Sequence, residues 1–147
     1  MNYFMADKVL LDANFFIGWI LENDSNHNKA LKLTDKLFYK TKTYTNENIV
    51  HESYTVVTVR TKDLKAARLL KSKIFTKNNK NLHIKRIPAV WEEEITDLFL
   101  NQKPFKSEFL SYADCSLIVQ ARRQNIGTIC TFDETFGQFS KEFSILP

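Results

Sequence analysis

Glycine, proline and cysteine are scarce in this sequence. Its 147 residues include three glycines, three prolines and two cysteines. So few chain breakers argue against long flexible linkers, and the length suits one domain with one core, so we expect a single domain over residues 1–147. The cysteines, Cys115 and Cys130, fall in a predicted helix and a predicted strand, and we interpret them as reduced, buried small side chains.

A long apolar run is also missing. Crossing a bilayer as a helix takes roughly 20 apolar residues, and the apolar stretches of this chain are much shorter. Residues 1–8 lack the basic start and the long apolar core of a signal peptide. We therefore expect a cytoplasmic protein with no membrane partner.

The net charge of +4 permits contact with nucleic acid but does not establish it. Many of the basic residues fall in the middle of the chain, where they form either a solvated helix face or a rim that holds RNA phosphates. These residues are Lys62, Lys65, Arg68, Lys71, Lys73, Lys77, Lys80, Lys85 and Arg86.

Short strand-like runs alternate with helical patterns along the whole chain. The predicted strands cover residues 8–12, 43–45, 82–87, 128–132 and 142–145. The predicted helices cover residues 13–21, 26–39, 47–60, 63–75, 91–100, 112–124 and 134–139. This order predicts an α/β fold, a three-layer α/β/α sandwich whose mainly parallel sheet has about five strands.

Three aspartates stand at the ends of predicted strands or at the start of a predicted helix. Asp12 and Asp133 follow strands, and Asp114 lies at the start of a long helix. In an open parallel sheet, ligands bind beyond the carboxyl ends of the strands, so these acids are expected at one edge. Each also has a structural explanation, because Asp12 and Asp133 suit helix N-caps and Ser111 with Asp114 suits a capping box. A capping carboxylate can still bind a cation on its outer side.

Glu52 is the fourth candidate acid. It shares a predicted helix face with Ile49, Val56 and Val59, and this stripe should point at the core or its rim. A carboxylate there needs a partner, either a basic side chain or a metal ion. Four acids in one pocket would repel one another, and Mg²⁺ or Mn²⁺ would remove the repulsion and serve phosphodiester cleavage. The predicted metal-binding and catalytic set is Asp12, Glu52, Asp114 and Asp133.

Other site chemistries find little support in the sequence. His27, His51 and His83 have no metal-ligand spacing. No glycine-rich phosphate loop is present, which disfavours nucleoside triphosphate hydrolysis, and no serine stands in a nucleophile elbow.

Four motifs, in order along the chain, resemble those of PIN-domain nucleases, particularly the VapC-type toxins of toxin–antitoxin pairs. They are VLLDANFF at 9–16, IVHE at 49–52, SYADCSLI at 111–118 and ARRQNIGTICTFDETF at 121–136. The resemblance implies that the four acids bind metal and catalyse, and that Asn14 and Thr131 orient carboxylates or a metal-bound water. Local turn and capping contacts explain these two residues equally well. The resemblance further implies an RNA substrate, a small antitoxin partner and a homodimer. Residues 61–106 match no motif.

The leading hypothesis is a Mg²⁺- or Mn²⁺-dependent endoribonuclease that cleaves single-stranded or looped RNA as the toxin of a toxin–antitoxin pair. The alternative is a non-catalytic PIN-like module that binds RNA or a protein. A third hypothesis, a phosphatase-like or receiver-like domain acting on small phosphoesters, ranks last because Asn14 stands where a second acid is usual.

Overall fold

Five short strands form one sheet in the computed structural model, which describes residues 7–76 and 81–147. The strands are β1 (Lys8–Leu11), β2 (Lys42–Asn46), β3 (Leu82–Lys85), β4 (Thr128–Cys130) and β5 (Ser144–Leu146). They lie in the order β3-β2-β1-β4-β5, and each neighbouring pair is parallel. The predicted parallel five-stranded sheet is confirmed.

The helices follow the predicted segments to within a few residues at each end. In the described part of the chain they are α1 (Ala13–Ile20), α2 (His27–Lys40), α3 (Glu47–Thr61), α4 (Lys65–Ile74), α5 (Glu92–Leu100) and α6 (Tyr112–Arg123). Two 3₁₀ segments complete the set, at Ala89–Trp91 and Glu134–Phe139.

The connections between strands place helices on both faces of the sheet. From β1 to β3 the chain moves towards one edge, and from β3 through β4 to β5 it moves towards the other. Because crossovers between parallel strands are right-handed, the two sets of connections lie on opposite faces. Most contacts agree, since α1 packs against α2, α3 and α4, while α5 packs against α6; α3 also contacts α6. The predicted three-layer α/β/α architecture is confirmed.

The strand order reverses between β1 and β4, which places a crevice at the carboxyl ends of these two strands. Asp12 directly follows β1, and its backbone N–H donates to the Cys130 carbonyl at 3.1 Å. Thr131 directly follows β4, and its N–H donates to the Leu146 carbonyl at 2.9 Å. The sheet therefore holds both residues at the mouth of the crevice.

The core surrounds the central strand. Val9, Leu10 and Leu11 are fully buried in succession, as expected for a parallel strand covered on both faces. Cys115 and Cys130 are free and buried, as predicted, and burial raises the pKa of each thiol to about 12. Among the described residues, no helix combines the length and the apolar character needed to cross a membrane.

The buried face of α3 differs from the predicted stripe. Its buried side chains are Ile49, Val50, Ser53 and Val57. Val59 is 68% exposed, so the prediction that it faces the core is wrong. Ser53 takes a core position because its hydroxyl donates to the Ile49 carbonyl at 2.7 Å, which satisfies the polar group inside the helix. Glu52 lies beside this face and is half-buried.

Candidate active site

Asp12 is the most deeply buried of the predicted acids, with 2% of its surface exposed. As the N-cap of α1, it accepts the Ala13 N–H at 2.7 Å through Oδ1. Its Oδ2 accepts the Thr131 hydroxyl at 2.7 Å. Burial, and then the charge of Asp114, raise the pKa of Asp12 well above its ordinary value, although these two hydrogen bonds oppose the rise.

Asp114 lies close enough to Asp12 for its charge to raise the pKa of Asp12. It occupies the first turn of α6, where the Ser111 N–H donates to its Oδ2 and its own N–H donates to Ser111 Oγ, both at 3.1 Å. The predicted capping box is thus present. Burial raises the pKa of Asp114, whose carboxyl group interacts electrostatically with that of Asp12. Two buried acids that interact in this way favour a shared proton or a bound cation, because two carboxylates repel each other and neither has a donor.

Glu52 and Asp133 complete the group around Asp114. The pKa of Glu52 is raised by burial and by the charge of Asp114. Asp133 caps the second 3₁₀ segment, where its Oδ1 accepts the Thr135 N–H at 2.9 Å, and its charge raises the pKa of Asp114. Asp114 is therefore the residue through which all four acids interact.

The donor chemistry of this group suits a hard divalent cation. Carboxylate oxygens are the preferred ligands of Mg²⁺ and Mn²⁺, and Mg²⁺ typically uses one or two carboxylates while keeping several waters. In residues 7–76 and 81–147, no set of three or more acidic, histidine or cysteine side chains is placed to hold one ion. The close pair of Asp12 and Asp114 fits a cation with two protein ligands. Direct ligation by Glu52 and Asp133 stays a prediction.

Asn14 and Thr131 form one hydrogen-bonded network with Asp12. Asn14 Nδ2 donates to Thr131 Oγ1 at 3.1 Å, and Asn14 Oδ1 accepts the Phe132 N–H at 3.0 Å. Thr131 Oγ1 also accepts the Asp133 N–H at 3.0 Å while it donates to Asp12. The same contacts therefore shape the turn after β4 and fix one oxygen of Asp12, while a role for the two residues in catalysis stays a prediction.

A second buried polar network, which the sequence did not reveal, joins β2 to α6. Asn46 Nδ2 donates to Ser116 Oγ at 3.1 Å and to Gln120 Oε1 at 3.0 Å. Gln120 Nε2 donates to the Thr45 carbonyl at 3.1 Å, and Asn46 Oδ1 caps α3 by accepting the Ile49 N–H at 3.1 Å. The network fixes the start of α3, which carries Glu52, against the helix that carries Asp114.

A signal for this network exists in the sequence. Ser116 and Gln120 are spaced by four on an otherwise apolar part of α6, so they form a short polar stripe on a buried face. Asn46 stands directly before a helix, where asparagine is a preferred N-cap.

The predicted basic rim is dispersed. Lys77 and Lys80 lie outside the described residues. Lys62, Lys65, Arg68 and Lys71 are exposed at the end of α3 and along α4. Arg86 pairs with Glu47 at 3.5 Å, and Lys85 Nζ lies 5.7 Å from the centre of the Trp91 ring.

Comparison with known proteins gives both a sequence match and similar folds. Residues 9–142, which contain all four acids, match a family model described as PIN domain. No curated protein sequence matches the chain.

Three solved structures share the fold at low sequence identity. VapC20 from Mycobacterium tuberculosis, described as a sarcin–ricin loop cleaving toxin, has a TM-score of 0.74 and 17% identity over 88% of this chain and 93% of its own. VapBC2 from Rickettsia felis, bound to a DNA fragment from their promoter, has a TM-score of 0.61 and 13% identity over 94% and 96%. FitAcB from Neisseria gonorrhoeae has a TM-score of 0.59 and 16% identity over 95% and 96%. The fold resemblance to VapC-type proteins predicted from the motifs is confirmed.

Proposed function

Because this chain belongs to the PIN domain family, we propose that it is a Mg²⁺- or Mn²⁺-dependent endoribonuclease. The observation that carries the proposal is the buried pair of Asp12, directly after β1, and Asp114, in the first turn of α6, where the charge of Asp114 raises the pKa of Asp12. Two such acids favour either a shared proton or a cation, and the crevice of an open parallel sheet is where ligands bind.

Each member of the site has a distinct task in the proposed reaction. Asp12 and Asp114 bind the cation, which supplies Lewis-acid stabilisation of the charge that develops on the phosphodiester. Thr131 and the Ala13 N–H hold Asp12 in one orientation, and Ser111 does the same for Asp114. Glu52 takes the proton of the attacking water at a carboxylate oxygen, because its raised pKa makes it a stronger base than an exposed glutamate. Asp133 orients water at the opposite rim.

Single-stranded or looped RNA is the proposed substrate, since unpaired strands can enter a crevice that a duplex cannot. The toxin role, a small antitoxin partner, a homodimer and a cytoplasmic location are part of the proposal. Their support is the family and the fold likeness to VapC20, described as a toxin, and to VapBC2, solved on promoter DNA.

Cleavage of a labelled structured RNA by the purified protein tests the nuclease. We expect product in Mn²⁺ or Mg²⁺, none in excess chelator and none from Asp114→Asn. Asp35→Asn is the matched control, because it makes the same chemical change at an exposed position of α2. Binding that survives chelation, without product in any metal, would establish the non-catalytic module instead.

The partners need separate measurements. Light scattering on the purified protein should give twice the 17.2 kDa mass of the chain. The reading frame next to the gene should encode a short DNA-binding protein that copurifies with this chain and suppresses cleavage. A monomeric mass would exclude the homodimer. A neighbouring protein that leaves cleavage unchanged would exclude the antitoxin.

A further inference from the structure

A cleft of about 430 Å³ opens next to the carboxylates, on the side of β5. Thr131 and Asp133 line one wall, so the cleft and the candidate active site share residues. The other walls include Asn26, Lys29 and Lys106, from the start of α2 and the loop before α6, and Glu134, from the second 3₁₀ segment.

Lys29 and Lys106 differ from the cations of the dispersed basic rim because both face this one cleft. Lys29 is exposed on the first turn of α2, and no ion pair engages it within the described part of the chain. Lys106 forms a 3.6 Å ion pair with Glu134, whose side chain is 84% exposed, and its Nζ lies 5.8 Å from the centre of the Phe105 ring. A solvent-exposed ion pair of this kind is weak, so a phosphate can displace the carboxylate.

The loop that carries Lys106 has a defined shape. Phe105 and Glu108 exchange backbone hydrogen bonds at 2.9 and 3.0 Å, and Lys106 and Ser107 between them have φ of 51° and 66°. The Phe105 ring packs over Gly137, where a Cβ would meet ring carbons at 3.7 Å. The tight turn is thus seated on the 3₁₀ segment that borders the cleft, and Lys106 is held at its rim.

Asn26 adds a neutral donor. It is the half-buried N-cap of α2, yet its side chain makes no capping hydrogen bond. Across residues 7–76 and 81–147, its amide group has no hydrogen-bond partner. An amide N–H and two lysines around one cleft are a set of donors suited to a phosphate group.

We propose that this cleft binds a backbone phosphate of the RNA strand next to the scissile one, through Lys29, Lys106 and the Asn26 amide. The inference rests on the proposed function and deepens it, because a pocket of four acids repels RNA on its own. Lysines beside the acids supply attraction for the strand and set its path past Asp133, without reading its sequence.

Fluorescence anisotropy of a labelled 12-nucleotide mixed-sequence RNA tests this cleft. Every protein carries Asp114→Asn, so that no probe is cut, and affinity is measured across a series of KCl concentrations. We expect Lys29→Gln with Lys106→Gln to weaken binding at least about tenfold at low salt. The slope of log K against log salt should become shallower by about 0.7 for each phosphate that is no longer neutralised.

The matched control is Lys40→Gln with Lys141→Gln, which removes the same charge. Lys40 ends α2 just before β2, and Lys141 precedes β5, so both lie towards the amino ends of the strands, away from the crevice. We expect affinity within about twofold of the parent and an unchanged salt slope, since these lysines bind no phosphate. An equal decrease in affinity in both double variants would show that net charge alone sets the affinity, and would overturn the proposal that this cleft binds a phosphate.

Glu134→Gln supplies a test in the opposite direction. It removes the carboxylate that competes for Lys106, so the RNA should bind more tightly, and weaker binding would overturn the inference. Thermal unfolding of each variant checks that the fold is kept. If the protein with Asp114 intact cleaves RNA while the Lys29 and Lys106 variant binds RNA normally, the cleft proposal is wrong and the nuclease proposal is kept. If no RNA is cleaved but the Lys29 and Lys106 variant no longer binds RNA, the nuclease proposal is wrong and the proposal of a phosphate-binding cleft is kept.

Discussion

Helix α6 carries two buried polar groups, Asp114 and the pair Ser116 and Gln120. The first is destabilised by a neighbouring acid, and the second is stabilised by hydrogen bonds. At Ser116 and Gln120, donors meet acceptors in the network with Asn46. At Asp114, a second acid lies against the first, and burial raises the pKa of both carboxyl groups. The network is satisfied by the protein alone, whereas the acid pair needs a proton or a cation from outside.

The comparison separates a structural device from a functional one. A hydrogen-bonded amide network in a core fixes the packing of the elements that it joins. Buried like charges cost stability and persist where function uses them. The amide network therefore positions α3 and α6, and the acid pair is the candidate for the proposed chemistry.

The largest expected effect is on cleavage by Asp12→Asn or Asp114→Asn. Loss of an outer partner of a metal ligand typically costs about 10–100-fold, and loss of the ligand itself should exceed that range. We expect a single-turnover cleavage rate more than about 100-fold lower with a native circular dichroism spectrum. Full activity in either variant would show that the acid pair is structural, like the amide network.

Thr131→Val should reduce cleavage by about 10–100-fold, because Asp12 Oδ2 loses its donor and the Asp133 N–H loses its acceptor. Thr131→Ser keeps the hydroxyl and should restore most of the rate. The readout is the cleavage rate across Mn²⁺ concentrations, since a positioning residue shifts the metal dependence as well. Equal rates for Val and Ser would exclude this role for the hydroxyl.

Asn46→Ala tests the hydrogen-bonded network that Asn46 forms with Ser116 and Gln120. It removes the α3 cap and leaves Ser116 and Gln120 without a shared partner, so unfolding free energy should fall by about 2–3 kcal/mol. Asn26→Ala is the matched control, because Asn26 caps α2 without a side-chain hydrogen bond and should change stability by less than about 0.5 kcal/mol. Urea titration measures the unfolding free energy of both variants. Similar decreases would show that the network does not stabilise the fold.

The smallest effect is a gain in stability. In chelator, Asp114→Asn keeps an acceptor for Ser111 and gives Asp12 a neutral donor, so it should raise the unfolding free energy by about 1 kcal/mol, or about 2–4 °C. Acids whose pKa is raised by folding destabilise the protein above that pKa, and the penalty disappears as pH falls towards the unfolded value. The gain should therefore be largest at neutral pH and vanish near pH 4. A gain independent of pH would contradict this cause.

Local patterns in the sequence predicted the features that depend on local contacts. The apolar run of β1 predicted a buried strand, and Ser111 with Asp114 predicted a capping box. The position of Asp12 after a strand predicted the acidic edge, because parallel topology brings strand ends together.

Features that depend on contacts between distant segments could not be predicted in this way. Asn46 and Gln120 are 74 residues apart, and only the packing of α6 on β2 brings them together. On α3, the spacing of valines suggested a core stripe through Val59, but the packing partners turn the buried face towards Ser53 and Val57. Lys29 and Lys106 likewise line the same cleft only because the fold brings the start of α2 and the loop before α6 together.

The central claim is that Asp12 and Asp114 together bind a divalent cation, and crystals grown with Mn²⁺ test it most directly through anomalous diffraction. We expect one manganese peak between the two carboxyl groups, at about 2.1 Å from an oxygen of each, with Glu52 and Asp133 within reach of its waters. A saturated crystal without manganese between these two side chains would contradict the claim.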